Sequence, residues 1–440
     1  QAHAIDTTEN ENSTEQRTLT VDTIEPGFSN SQTNASSVGY NGNATFNITI
    51  TDDTGLSYFI FSWNGTGTWD NATNGTLSGT SQLLVINKTP TTKDDSLVIG
   101  YIWYANDSAG NWNNSGINTV TTDTLPPRIN FTSPTPANGT TTSNTYAEIN
   151  VTIDELNLKE VIFDWNNTNF TIFNDSVVFF MNFDNKSALG ENNTFFVDNS
   201  RYENNGTAIG FDNDEIIAGR YGKGVDFDGS NDEIDAGGDA SLNLIHNYTV
   251  SAWIKTSADR PVNEYIVTRY DGGNIEGFAL RIKSNERLHG FHVSENSPLT
   301  YNDVSTTATF NDGNWHHAVL TFEEGVGSSL FVDGTLRDSD STTTNPIPSF
   351  TRNLVIGDQD ENVGDALHYE GAVDDVMIWN KSLTAQEISQ LYMTSLTKFN
   401  STHWELYVNQ TLNSTTGLTD GDYTYQAHAI DTTENENSTE

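Results

Sequence analysis

ATFNITITDDTGLSYFIFSWNGT, residues 44–66, is the stretch that decides how the chain is read. Apolar residues recur at every second position: Phe46, Ile48 and Ile50, then Phe59, Phe61 and Trp63. Successive side chains of a strand point to opposite faces, so this spacing predicts two half-buried strands. The pattern returns further along. AEINVTIDE (147–155) parallels ATFNITITD (44–52). LKEVIFDWNNT (158–168) parallels LSYFIFSWNGT (56–66), aligning Ile60 with Ile162, Phe61 with Phe163 and Trp63 with Trp165. VDTIEP (21–26) returns as TDTLPP (122–127), so the offset is 101–103 residues.

A third correspondence closes the unit. GYIWYANDSAGNWN (100–113) parallels TYQAHAIDTTENEN (424–437), matching Asp107 with Asp431 and Asn111 with Asn435. The D-x-x-x-N stretch is a hairpin-turn signal, because Asp, Asn and Gly tolerate turn geometry. The first unit is therefore continuous, over 23–123. The second begins at 124, breaks off after 173 and resumes at 396, with an insert over 174–395.

These two units resemble the immunoglobulin-like or fibronectin-like repeats of microbial, especially archaeal, cell-surface proteins. The resemblance rests on the strands carrying Trp63 and Trp165 and on the terminal hairpin with its turn Asp107-Ser108-Ala109-Gly110-Asn111. The second copy has Glu434 where Gly would sit. The insert resembles a laminin-G-like, concanavalin-A-like jelly roll along its whole length. Its motifs run in order: VVFFMNFDN (177–185), YGKGVDFDGSNDEID (221–235), YTVSAWIK (248–255), NWHHAVLTF (314–322), SLFVDGTLRDS (329–339), LVIGDQ (354–359) and EGAVDDVMIWNKSLTAQEISQLY (370–392). Together the resemblances imply an all-β chain: two immunoglobulin-like β-sandwiches, the second interrupted by the jelly roll. In YTVSAWIK the alternation puts Val250, Ala252 and Ile254 on one face and Ser251, Trp253 and Lys255 on the other. Thr384 to Glu387 reads as a capping box opening a short helix.

QAHAIDTTENENSTE occurs twice, at 1–15 and at 426–440. The second sandwich (124–173 with 396–440) lacks a last strand after that segment, and STEQRTLTVDT (13–23) supplies one at the other end. Residues 1–22 are thus expected to be the final hairpin of a preceding repeat. Neighbouring copies would follow one another head to tail, in tandem or by strand donation, giving a cell-surface fibre or giant adhesin. With Gln1 at its start, the sequence reads as an internal or processed segment of something longer.

Composition narrows the class. The formal net charge of -41 disfavours nucleic acid and anionic membranes as partners and favours cations. No run reaches the ~18 apolar residues of a membrane span. There is no cysteine. N-x-S/T acceptors occur at Asn34, Asn43, Asn47, Asn64, Asn71, Asn74, Asn87, Asn130, Asn150, Asn166, Asn169 and Asn409, among others. Residues 196–395 hold only Asn205, Asn247 and Asn380. Such sites are modified in exported chains, so the reading is an extracellular glycoprotein with sugar on the flanks and a bare central module.

Three site chemistries are weighed. Calcium is the candidate structural ion. By resemblance to related jelly rolls, Asp198 and Asp374 would ligate it, with Asp184 a weaker third. Asp358 and Asp360 stand in a D-x-D-x-N run, which in an acidic protein reads first as a solvated loop and second as a metal site; Val363 and Tyr369 depart from an EF-hand. Carbohydrate is the second: Tyr265, Tyr270, Phe291, Tyr301 and His368 lie in or near loops of the insert, and the sequence does not select a platform among them. Catalysis is the third and finds no support. Glu233-Ile234-Asp235 resembles a glucanase carboxylate motif, but Gly237 stands where the next carboxylate belongs. No nucleophile elbow, phosphate loop or HExxH stretch is present. The expectation is a structural repeat unit of a fibre, or alternatively a calcium-dependent lectin-like adhesion module on an immunoglobulin-like stalk. Neither reading makes the chain an enzyme.

Overall fold

A computed structural model of the 440-residue chain describes all residues except 34–36, 39–42, 92–96, 213, 260, 272–275, 295–299, 343–344, 348–349, 351 and 360–366. The chain is all-β, with one α-helix, Ala385–Tyr392, among the described residues. It divides into two compact units: residues 1–125 with 432–435, and residues 126–431 with 436–440.

In the first unit, strands Gly27–Thr33, Ala44–Thr51 and Ser81–Lys88 form one sheet. Ser37–Val38, Asn118–Thr122, Val98–Asp107, Leu56–Trp63 and Asp70–Thr76 form the second, and Trp112–Asn114 folds back on Val98–Asp107. The alternation dictates what is buried: Phe46, Ile48 and Ile50 from one sheet meet Phe61, Trp63 and Trp103 from the other. Phe61 packs on Trp103 with ring centres 4.7 Å apart, an edge-on contact that adds to burial. Residues 1–15 form a separate two-stranded hairpin, His3–Ile5 with Glu11–Ser13, whose residues are all exposed.

In the second unit, Arg128–Thr132, Ala147–Asp154, His403–Gln410 and Thr394–Lys398 make one sheet. Thr168–Phe173, Leu158–Trp165, Tyr425–Asp431 and Glu436–Ser438 make its partner. Ile149, Val151 and Ile153 pack between the sheets on Val161 and Phe163. The two segments that build this sandwich lie on either side of the insert in sequence, yet pair in full register from Ala147↔Gln410 to Asp154↔His403. Strand Thr394–Lys398 belongs to this sandwich, so Thr394 and Ser395 leave the jelly roll, which was expected to run to 395.

Two eight-stranded sheets make the insert. The sheet containing Asn247–Lys255, His316–Glu323 and Glu370–Trp379 is buried on both faces. Val250, Ala252 and Ile254 face the jelly-roll core, while Val319, Met377 and Trp379 join the core of the second sandwich. Helix Ala385–Tyr392 leads the chain back, and Ile388 and Leu391 pack into that same core. Its capping box forms: Thr384 Oγ1 accepts from Glu387 N, and the Glu387 carboxylate accepts from Thr384 N at 2.7 Å.

Between the jelly roll and the sandwich core sits a small cavity lined by Ser251, Trp253, His317, Asp375 and Ser395. Ser251 Oγ and His317 Nε2 lie 2.7 Å apart. Burial holds His317 down to about 4, an uncharged imidazole. Burial, then the Asp184 charge, pushes Asp375 up to about 8.

Candidate binding face

The second sheet of the jelly roll presents a face that its own register creates. Strands Glu264–Asp271, Glu276–Ile282, Arg287–Ser294 and Thr300–Thr309 lie side by side. Ala279 pairs with Phe291 and Arg281 with His289; Phe291 in turn pairs with Asp303 and Val293 with Tyr301. Strand alternation sends Ile266, Phe278, Leu280, Leu288 and Val304 inward to the main core. Tyr265, Tyr270, Ala279, Phe291 and Val293 gather on the opposite face as a second, smaller apolar cluster.

Gly277 and Ala279 keep the middle of this face low, and aromatic rings rise beside them. Tyr270 meets Phe291 edge-on at 5.0 Å, and Tyr301 lies nearly parallel to Phe291, at 13° and 6.0 Å. Phe291 is 2% exposed, Tyr301 41%. A buried ring thus supports an exposed one. Arg281 lies over Phe291 and Tyr265, 4.9 and 5.2 Å from the ring centres.

A polar chain crosses the same four strands. Arg281 Nη1 donates to Tyr265 Oη at 2.6 Å, and Arg281 Nε donates to His289 Nδ1 at 2.9 Å. His289 Nε2 and Asp303 Oδ1 lie 2.5 Å apart, and Lys283 Nζ reaches the same oxygen at 3.4 Å. Since Nδ1 accepts, Nε2 carries the proton and donates to Asp303. Burial, followed by the Arg281 charge, holds His289 at about 4, consistent with that neutral ring. Burial, with the Asp303 charge beside it, raises the Tyr301 hydroxyl to about 12, so it stays a donor. The face therefore offers an exposed phenol ring with the Asp303 carboxylate and the Arg281 guanidinium close by.

The five aromatic and His residues singled out in the sequence all come to this region. His368 bridges to Tyr265 and lies 3.5 Å from Asp358 Oδ2. Arg281, Lys283, His289 and Asp303 escaped the sequence reading. Their signal was the alternation in GFALRIK (277–283) and RLHGFHVS (287–294), which puts Arg281 and His289 on the side away from the leucines.

The carboxylates proposed for calcium behave differently. Asp198 is buried and accepts four hydrogen bonds, from Phe180 N, Ser200 N, Ser200 Oγ and Asn204 N, at 2.7–2.9 Å. Asp374 accepts from Tyr221 N and Asp375 N, and Asp184 accepts from Lys223 N. Burial, then the Asp375 charge, pushes Asp374 well above the usual carboxylate range. Among the described residues neither Asp198 nor Asp374 joins a set of three ligating side chains. Asp360 lies outside the described residues, as does the acceptor Asn34. Asn43, Asn71, Asn74, Asn87, Asn130, Asn166, Asn169 and Asn409 are exposed, while Asn47, Asn64 and Asn150 are half-buried.

Residues 228–389 match the Laminin_G_3 family model, the concanavalin A-like lectin/glucanases superfamily. That span includes the face just described. An 87-residue stretch is 32% identical to the human adhesion G-protein coupled receptor D1, covering 19% of this chain and 10% of the receptor. Two solved structures are similar to the chain. The binding domain of Paraclostridial Mosquitocidal Protein 1 has a TM-score of 0.40 at 18% identity, over 50% of this chain and 52% of that one. Domain 4 of AbnA, a GH43 extracellular arabinanase from Geobacillus stearothermophilus solved with arabinotriose, has a TM-score of 0.39 at 18% identity, over 49% of this chain and 98% of that domain. The chain thus spans a tenth of the receptor and about half of the mosquitocidal binding domain. No helix of the described residues is long and apolar enough to cross a membrane.

Proposed function

We propose that the jelly roll is a carbohydrate-binding adhesion module of an extracellular, cell-surface glycoprotein, and that the chain is not an enzyme. The observation that carries this reading is the exposed Tyr301 ring held parallel to the buried Phe291, with the Asp303 and Arg281 charges close to its hydroxyl. A sugar ring shows an apolar C–H face and a rim of hydroxyls. It needs one flat aromatic and a few fixed donors and acceptors, which is what this face presents. The match to the concanavalin A-like lectin/glucanases superfamily supports the same reading. The test is a glycan array probed with the full chain and with Tyr301→Ala. Binding to a defined set of glycans, lost about tenfold or more in the variant, is expected. Equal binding by both proteins, or none by either, would refute the assignment.

A second reading concerns assembly, and one observation favours it. The hairpin of residues 1–15 has the same register as its sequence twin: His3↔Ser13, Ala4↔Asn12 and Ile5↔Glu11 repeat as His428↔Ser438, Ala429↔Asn437 and Ile430↔Glu436. In the twin, Ala427 and Ala429 are wholly buried in the second sandwich; here Ala2 and Ala4 are exposed. We infer that residues 1–22 complete a sandwich of a neighbouring copy, so that copies join head to tail into a filament. Sedimentation of the full chain against a chain lacking residues 1–22 tests it: the shortened chain should lose concentration-dependent growth, and identical profiles would dismiss the idea.

A further inference from the structure

Away from the jelly roll, three carboxylates converge in the first unit. Asp22, Asp52 and Asp107 each offer an oxygen, and the three oxygens lie within 4.8 Å of one another. They come from three places in the sequence: the strandless stretch before Gly27, the end of strand Ala44–Thr51, and the end of strand Val98–Asp107. Among the described residues no lysine or arginine pairs with any of them.

The hydrogen bonds show which oxygens the protein itself uses. Asp107 Oδ1 accepts from Ala109 N, Gly110 N and Asn111 N, and its Oδ2 from Asn111 Nδ2 at 2.7 Å. Asp52 Oδ1 accepts from Thr54 N and Gly55 N. Asp22 accepts from Ile24 N and from Thr54 Oγ1. One atom is left over. Asp52 is 9% exposed, and its Oδ2 is buried with no hydrogen-bond partner. A buried carboxylate oxygen lacking a donor costs considerable free energy. Beside two further carboxylates the cost grows by repulsion, unless a cation stands among them.

We propose that Asp22, Asp52 and Asp107 bind a hard divalent cation, calcium by preference. Two oxygens on one calcium at 2.3–2.6 Å lie at most about 5 Å apart, and this trio meets that limit. The ion supplies Asp52 Oδ2 with its missing partner and cancels the convergent charge. It also ties the stretch carrying Asp22 to the loop after Asp52 and the turn after Asp107. In the sequence the second repeat keeps a carboxylate at each matching position, Asp123, Glu155 and Asp431. Turn chemistry alone asks for Asp107 and its counterpart; it does not ask for all three.

Calorimetric titration of CaCl2 into the chelator-stripped full chain, beside Asp22→Asn and Asp52→Asn, tests the site. Each variant should take up one calcium fewer per chain than the parent, with the circular dichroism spectrum unchanged in EDTA. Asp22 has no strand partners and its Asn variant keeps an acceptor for Ile24 N, so Asp22→Asn decides the question if Asp52→Asn misfolds. Unchanged stoichiometry in Asp22→Asn, or no uptake by the parent at about 1 mM, the weak end for extracellular calcium modules, would overturn the proposal.

Discussion

Arg281 donates from Nε to Nδ1 of His289 at 2.9 Å, and a histidine that accepts from an arginine must be neutral. Burial and the Arg281 charge both disfavour the imidazolium, while Asp303 opposes them. Replacing Arg281 by Met should therefore raise the His289 pKa above about 4 while leaving it below 6.5, because burial remains. An NMR titration of the imidazole protons reads this. A value that stays put or falls would mean that Arg281 does not act on the ring.

The cavity beside the second sandwich predicts opposite pH responses from two of its residues. The folded chain holds Asp375 at about 8, above its ordinary 3.8, so the proton is bound in the folded state and lost in the unfolded one. The stability tied to it is present below pH 3.8 and declines as pH rises through 8. Asp375→Asn should gain on the parent by roughly 1.4 kcal/mol per pH unit in that window. His317, held at about 4 from an ordinary 6.5, behaves the other way: its contribution is present above pH 6.5 and declines as pH falls through 4. His317→Gln should gain on the parent as the medium is acidified over that window. Urea midpoints across pH 4–8 measure both; parallel curves for parent and variants would contradict the assignment.

Gly277 sits at φ +128, where a Cβ would lie 2.1 Å from the carbonyl oxygen of Arg269 across the strand pair. Gly277→Ala should cost about 1–3 kcal/mol, the usual range for backbone held in a disfavoured region. It should also disturb the ring pair Tyr270–Phe291, since Tyr270 faces Gly277. A thermal melt and the glycan array report the two effects separately.

The twin hairpins predict different dynamics from one sequence. Amides of His3–Ile5 lie on an exposed two-stranded ribbon, while those of Tyr425–Asp431 are held in a buried sheet. Hydrogen exchange in peptides that extend past the shared fifteen residues should be about 100-fold slower for the second copy. In a solution that forms filaments the first copy should slow as well, and exchange that is fast at all concentrations would count against strand donation.

Period-two alternation made the all-β class legible, because a strand's two faces are set by local geometry alone. The same argument located Phe46, Phe61 and Trp63 in a core, and Val250, Ala252 and Ile254 on the inner face of their sheet. The capping box at Thr384 and the turn at Asp107 were legible for a similar reason: each is closed by residues within four positions of one another. Long-range arrangement was not. Tyr265, Phe291 and Tyr301 were visible as aromatics, but their parallel stacking depends on strand register, which the pairing of distant segments decides. Asp198 and Asp52 show the limit most plainly. The sequence shows both as carboxylates and does not tell what meets their oxygens. Tertiary structure surrounds Asp198 with four donors, leaves an oxygen of Asp52 without one, and brings the Asp52 carboxylate near two other acids. Local sequence determined strands, turns and faces; the fold alone decided which charges and rings came together, because hydrogen-bond partners and counter-charges arrive from parts of the chain that only packing brings near.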